Sequence, residues 1–274
     1  MPEIEAKDPS LTSLAGLHLW HAPMSSCSQR VRLVLAELDR PYESHLVDLG
    51  KNAHATEEYQ RIHPDGLVPA LVDDGRLYIE SIDIIRHLAD GQPNGSDAGP
   101  DDLLALADAA QSDLKLLSFE FLFRVRPAPP PDAAERFEAG HRNAWLRQFR
   151  KDFADGFDPA RLDAAIARTD AGFRTLDRVL SDGRAYLGGA DFSLCDIAWM
   201  PNVHRMALMD WPFDHTPHLA AWFDRVAARA SYRAALLDWQ SAAEAETFRN
   251  YTAKRRAEGT DVRSFPHFRK SQAS

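Results

Sequence analysis

"APMSSCSQRVRLVLAEL", residues 22–38, joins two kinds of periodicity and decides the first half of the fold. Before it, Leu17 to His21 (LHLWH) reads as a short strand. Within it, Val31, Val34, Leu35 and Leu38 fall at i, i+3, i+4 and i+7, one face of a helix. A strand therefore turns into a helix across three serines and a cysteine. A helix N-terminus carries unpaired backbone N–H groups and partial positive charge, so it favours an anion. A cysteine there inclines to the thiolate, and a serine hydroxyl there can donate to a bound thiolate. The same residues also suit plain capping, with Ser25 or Ser26 as N-cap. Met24 and Arg30 occupy the positions three before and three after Cys27, so no second cysteine makes a C-x-x-C redox pair.

Working outward, Glu43 to Leu49 predicts a second strand, Thr56 to Arg61 a short helix, and DGLVPALVDDGRLYIE (65–80) a hairpin turning at Asp74-Gly75. Ser81 then caps a helix carrying Ile82, Ile85 and Ala89. Val68-Pro69 opens the hairpin's first strand. A cis bond there would expose the preceding backbone N–H and C=O, whereas a trans proline would be an ordinary edge residue. Glu80-Ser81 puts a carboxylate and a hydroxyl at another helix start, suited either to capping or to a ligand's ammonium and carboxylate. The Gly-, Pro- and Asp-rich stretch from Asp90 to Asp101 reads as a boundary.

Beyond it the spacing is helical, as in Leu162, Ile166, Thr169, Phe173, Leu176 and Leu180, and no convincing strand appears. Ser193 to Asp196 fits a capping box, with Cys195 as a small buried hydrophobe. Phe119, Phe121 and Phe123 read equally as core, as subunit interface or as an apolar pocket. The expected organisation is an extension at 1–16, an α/β domain at 17–89, a linker at 90–101, an all-α domain at 102–240 and a C-terminal extension at 241–274.

Composition narrows the function. A net charge of −9 and a pI near 5.6 argue against nucleic-acid binding, and the basic cluster Lys254, Arg255, Arg256, Arg263, Arg269 and Lys270 reads as a solvated, partly disordered end. Two cysteines, an acidic opening without an apolar core and no apolar run of membrane length point to a cytoplasmic protein without disulfides or a membrane partner. No metal-ligand spacing surrounds either cysteine.

Taken together, these motifs resemble the cytosolic glutathione S-transferase superfamily. SSCSQRVRLVL is similar to the zeta-class motif of maleylacetoacetate isomerases and to that of tetrachlorohydroquinone reductive dehalogenase. VPALV followed by LYIESIDIIRHL resembles the family's cis-proline and γ-glutamyl-binding segments, and ADFSLCDIAW its C-terminal capping-box helix. Gln29 stands where the zeta pattern has an aromatic residue, and Glu80 where glutamine is common. The resemblance implies a thioredoxin-like domain joined to an all-helical one, with glutathione as co-substrate and a homodimer or heterodimer as the assembly. It implies that Ser25 stabilises the glutathione thiolate with Cys27 as a second thiol beside it. It further implies that Val68, before Pro69, pairs with the cysteinyl unit, that Glu80 and Ser81 hold the γ-glutamyl end, and that Lys51 meets the glycyl carboxylate. The expected reaction is thiolate attack on an apolar, aromatic electrophile. β-Aryl ether cleavage, reductive dehalogenation, cis-trans isomerisation and a non-catalytic binding or partner subunit stand as alternatives.

Overall fold

The alternating and 3.6-residue spacings both become regular structure in the computed structural model, which describes residues 3–91, 99–128 and 130–271. Five strands, β1 (Glu3–Ile4), β2 (Leu17–His21), β3 (Glu43–Leu46), β4 (Ala70–Asp73) and β5 (Arg76–Ile79), form one mixed sheet ordered β1-β5-β4-β2-β3. β2 and β3 run parallel, as a connection through helix α1 (Ser26–Glu37) requires, and the other pairs are antiparallel. Helices α2 (Glu57–Ile62) and α3 (Ser81–Ala89) complete the lobe. Asp74 and Gly75 both have positive φ, 46° and 80°, the backbone that a tight two-residue hairpin needs.

Two expectations change here. The segment before Leu17 is part of the sheet: β1 pairs with β5, and Leu11 is buried. β3 ends at Leu46 rather than Leu49, because Asp48 turns its carboxylate back to accept the Lys51 N–H at 3.0 Å.

From Asp101 on, the described residues form the helices α4 (Asp101–Ala109), α5 (Gln111–Phe121), α6 (Pro131–Gly140), α7 (Ala144–Asp155), α8 (Pro159–Leu180), α9 (Leu194–Leu208), α10 (Pro217–Ala227), α11 (Ala230–Ala235), α12 (Ala242–Ala257) and α13 (Pro266–Ser271). α9 begins in the expected capping box. The buried Asp196 carboxylate accepts from the Ser193 N–H (2.8 Å), the Leu187 N–H (2.9 Å) and the Trp222 indole (2.7 Å), and Cys195 is fully buried. The basic end is ordered helix rather than a loose tail. Arg255 pairs with Glu120 at 3.0 Å, lies over the Phe121 ring and is only 12% exposed, while Arg256 and Arg263 both pair with Asp210. Residues 92–98 of the expected linker lie outside the described residues.

The chain forms two compact units that are not two successive segments. The first takes the described part of residues 1–95 together with 128–154 and 234–239; the second takes the remainder. Specific hydrogen bonds account for the return at 128–154. The Gln60 amide donates to the carbonyls of Ala55 and Gly140, both at 2.9 Å, and accepts the Arg142 N–H at 2.9 Å. Asn52 donates to the Ala133 carbonyl at 3.0 Å, and His141 Nε2 donates to the Gly66 carbonyl at 3.1 Å. Gly66 has φ +59°, and a Cβ there would sit 2.6 Å from the His54 carbonyl and 2.8 Å from His141 Nε2. No helix among the described residues is long and apolar enough to cross a membrane.

Gly66→Ala is therefore expected to destabilise the protein by about 1–3 kcal/mol through backbone strain and steric conflict, read as a lower urea midpoint. Acid should weaken the fold through buried neutral histidines. Burial first, then the charge of Arg32 and the neighbouring His45, pushes His21 down to about 3, and burial above all pushes His63 down to about 4. The unfolded chain protonates these groups near pH 6.5, so each contributes stability that is lost as pH falls from about 6.5 toward its folded value. Urea midpoints between pH 7 and 4 should decline, and His63→Asn should flatten part of that decline. An identical profile in the variant would contradict the assignment.

Candidate active site

Ser25 is the N-cap of α1, in extended backbone conformation, with its Oγ accepting the Ser28 N–H at 3.2 Å. The hydroxyl is half-buried and, having accepted, still holds a proton to donate. Capping and anion stabilisation are thus not exclusive uses of one oxygen. Cys27 is half-buried in the same first turn. Ser28 is buried, and its hydroxyl accepts the Ala22 N–H at 3.3 Å, closing the turn from inside.

The turn is held from beneath by Arg32, 2% exposed. Its guanidinium donates to the carbonyls of Ala22 (3.2 Å), Pro23 (2.8 Å) and Ala235 (2.8 Å) and to His21 Nδ1 (3.0 Å). Trp239 covers it at 4.8 Å. Because His21 accepts at Nδ1, its proton belongs on Nε2, which donates to Ser44 Oγ at 2.8 Å. Burial brings the Arg32 guanidinium down to about 10, which leaves it cationic at neutral pH.

Register brings three of the expected segments to one end of the sheet. Trp20 is opposite Ala70 and Ala70 opposite Ile79. One residue beyond those pairs along each strand stand His21, which leads into the Ala22–Ser25 turn, Pro69, which precedes β4, and Glu80, which follows β5. The Val68-Pro69 bond is cis, and the carbonyl of the preceding Leu67 accepts from the buried Tyr59 hydroxyl at 2.6 Å. Burial drives that phenol's pKa upward. Glu80 is exposed and has φ +65°, ψ +113°, a costly backbone for a non-glycine residue. Ser81 is the first residue of α3 and is buried, with Arg30 Nη1 donating to its Oγ at 3.1 Å. Lys51 stands apart in the turn after β3; its side chain is 86% exposed and its Nζ lies 3.6 Å from the Asp48 carboxylate.

Arg30 and Arg32 are buried neighbours of these residues that sequence reasoning passed over, although two arginines inside an apolar helical run (RVRLVL) are a visible anomaly. Gln29 is fully buried, and neither amide atom has a hydrogen-bond partner. In the helical unit, Phe121 is buried, whereas Phe119 and Phe123 are half-buried with ring centroids 5.5 Å apart.

A mixed sheet with a cis-proline beside its first turn, followed in the chain by a helical unit, is the architecture of glutathione transferases. The family model for the glutathione S-transferase N-terminal domain matches residues 24–90, and that for the C-terminal domain matches residues 159–225. The chain belongs to the glutathione S-transferase superfamily, enzymes that take glutathione as co-substrate. It is 28% identical over 222 residues to glutathione S-transferase hmp2 of Hypomyces subiculosus, covering 79% of this chain and 95% of that one. It is 27% identical over 244 residues to glutathione S-transferase TCHQD of Arabidopsis thaliana, covering 79% and 88%. The solved structure of beta-etherase LigF from Sphingobium sp. strain SYK-6 superposes with a TM-score of 0.70 at 22% identity, covering 80% and 98%.

Replacing Gln29 by the similarly shaped Met removes two unpaired buried polar atoms and should stabilise the protein by about 1–3 kcal/mol, raising Tm in a calorimetric scan.

Proposed function

We propose that this transferase binds glutathione where the Ala22–Ser25 turn, Val68-Pro69 and Glu80-Ser81 meet, and that Ser25 holds the thiol as a thiolate. The carrying observation is the Ser25 hydroxyl, oriented by the Ser28 N–H and keeping its proton at the positive end of α1. The donor set fits the tripeptide. Two helix N-termini suit its thiolate and its γ-glutamyl carboxylate, Glu80 suits its ammonium, and the Val68 backbone suits pairing with the cysteinyl unit. Lys51, exposed and close to Asp48, is the contact assigned to the glycyl carboxylate. The thiolate attacks an electrophilic carbon of an apolar, aromatic substrate; the sulfur–carbon bond forms as the leaving group departs with the bonding pair. The chain's own contribution is positioning and anion stabilisation. The setting we assign is a cytoplasmic dimer of identical or related subunits.

A second reading rests on Cys27, whose thiol shares the first turn of α1 with Ser25. In it, the Cys27 thiolate attacks the sulfur of an aryl glutathione conjugate: the S–S bond forms as the sulfur–carbon bond breaks, its electron pair leaves on the aryl carbon, which takes a proton from solvent, and a mixed disulfide and a reduced arene result. Intact mass after turnover with haloarenes distinguishes the two readings, since only this route leaves glutathione on the protein.

Ser25→Ala is expected to lower kcat/KM about tenfold or more, as loss of one anion-stabilising donor does. The ultraviolet difference signal of bound thiolate should move to higher pH in parallel. Stability should fall only by the cap's share, about 1 kcal/mol. Wild-type turnover in this variant would overturn the role. A screen of aryl ethers, haloarenes and maleyl compounds identifies the electrophile class.

A further inference from the structure

Arg30 is 0% exposed, in the second turn of α1, and its Nη1 donates to Ser81 Oγ at 3.1 Å. A buried cation is expensive to desolvate, and packing alone would be served by an apolar side chain at that position. A guanidinium only donates, so the Ser81 oxygen must meet it with a lone pair. That contact turns the Ser81 proton away from Arg30 and leaves the hydroxyl to donate elsewhere. The α3 N-terminus at Ser81 already favours negative charge, and Arg30 places a fixed positive charge behind it.

We propose that Arg30 is a positioning residue for the γ-glutamyl α-carboxylate: from α1 it sets the Ser81 hydroxyl as a donor and supplies the charge that makes the α3 start selective for a carboxylate. This rests on the assignment of Ser81 to the γ-glutamyl end made above. It goes beyond that assignment by naming a residue that touches no substrate, lies on the helix begun by Ser25, and makes one helix serve both the cysteinyl thiol and the γ-glutamyl end.

The test is calorimetric binding of glutathione and of its analogue lacking the γ-glutamyl α-carboxylate, 4-aminobutyryl-cysteinyl-glycine, to wild type, Arg30→Gln, Arg30→Lys and Ser81→Ala. Arg30→Gln should weaken glutathione about tenfold, the worth of a hydrogen bond to a charged group, while leaving the analogue's affinity unchanged. In turnover KM for glutathione should rise with kcat at saturation retained. Arg30→Lys, which keeps the charge but not the fork, should recover part of the loss and serves if the glutamine variant fails to fold. Equal weakening of both ligands by either Arg30 variant would reduce Arg30 to a structural support and overturn the proposal. Should Ser81→Ala leave glutathione binding untouched, or the two ligands bind wild type equally well, the assignment of Ser81 itself is wrong, a failure separable from that of Arg30.

Discussion

The first unit depends on one buried cation. Arg32 collects the carbonyls of Ala22, Pro23 and Ala235 and the imidazole of His21 around a single guanidinium. Each acceptor gains a charge-assisted bond in a site without competing water, and together they meet the desolvation cost of the charge. Removing one member of such a cluster typically costs about 3–5 kcal/mol, because the remainder is left buried and unpaired. The same contacts fix the exit of β2. The Ser25 N–H bonds to the Ala22 carbonyl at 3.2 Å, so the group that orders the core also sets the turn carrying Ser25.

The distribution of charge makes sense in this light. The surface is acidic, with a net charge of −9, yet Arg30, Arg32 and Arg205 are all buried. Arg205 is the counterpart in the helical unit, donating to Ser118 Oγ at 3.2 Å, with burial bringing it down to about 10. A net count of charge reports solubility and long-range steering. The local potential at a helix start is set by the few charges held out of water, and in the first unit those are cations.

Much of this was legible in the chain because it is local. The i, i+3, i+4, i+7 apolar set gave α1, Asp74-Gly75 gave the hairpin, and Ser193 with Asp196 gave the start of α9; each reading needs only neighbours within a turn or two. What could not be read depends on distant partners. β1 is too short to show alternation and exists because β5 offers an edge. Arg32 looks like a solvent-facing residue until its partner at Ala235, 203 positions away, is known. Gln60 gives no sign that it will hold Gly140. Around the site, the turn, the cis-proline and the α3 start could be named from motif; the arginines behind them showed only as an anomaly in RVRLVL, and their partners could not be read, since hydropathy assigns charge to the surface.

The order in which the first unit acquires its parts also sets when it can be finished. Its sheet is made by residue 79, but Gln60 waits for Gly140 and Arg32 waits for Ala235 and Trp239. At the usual pace of translation, roughly 150 further residues past α3 take about 7 to 30 s. During that interval Arg32 can reach the Ala22 and Pro23 carbonyls and His21, but lacks the Ala235 carbonyl and the Trp239 cover. The nascent lobe emerges with its buried-type arginine one acceptor short and uncovered, and the surroundings of the Ser25 turn are completed only near the end of synthesis.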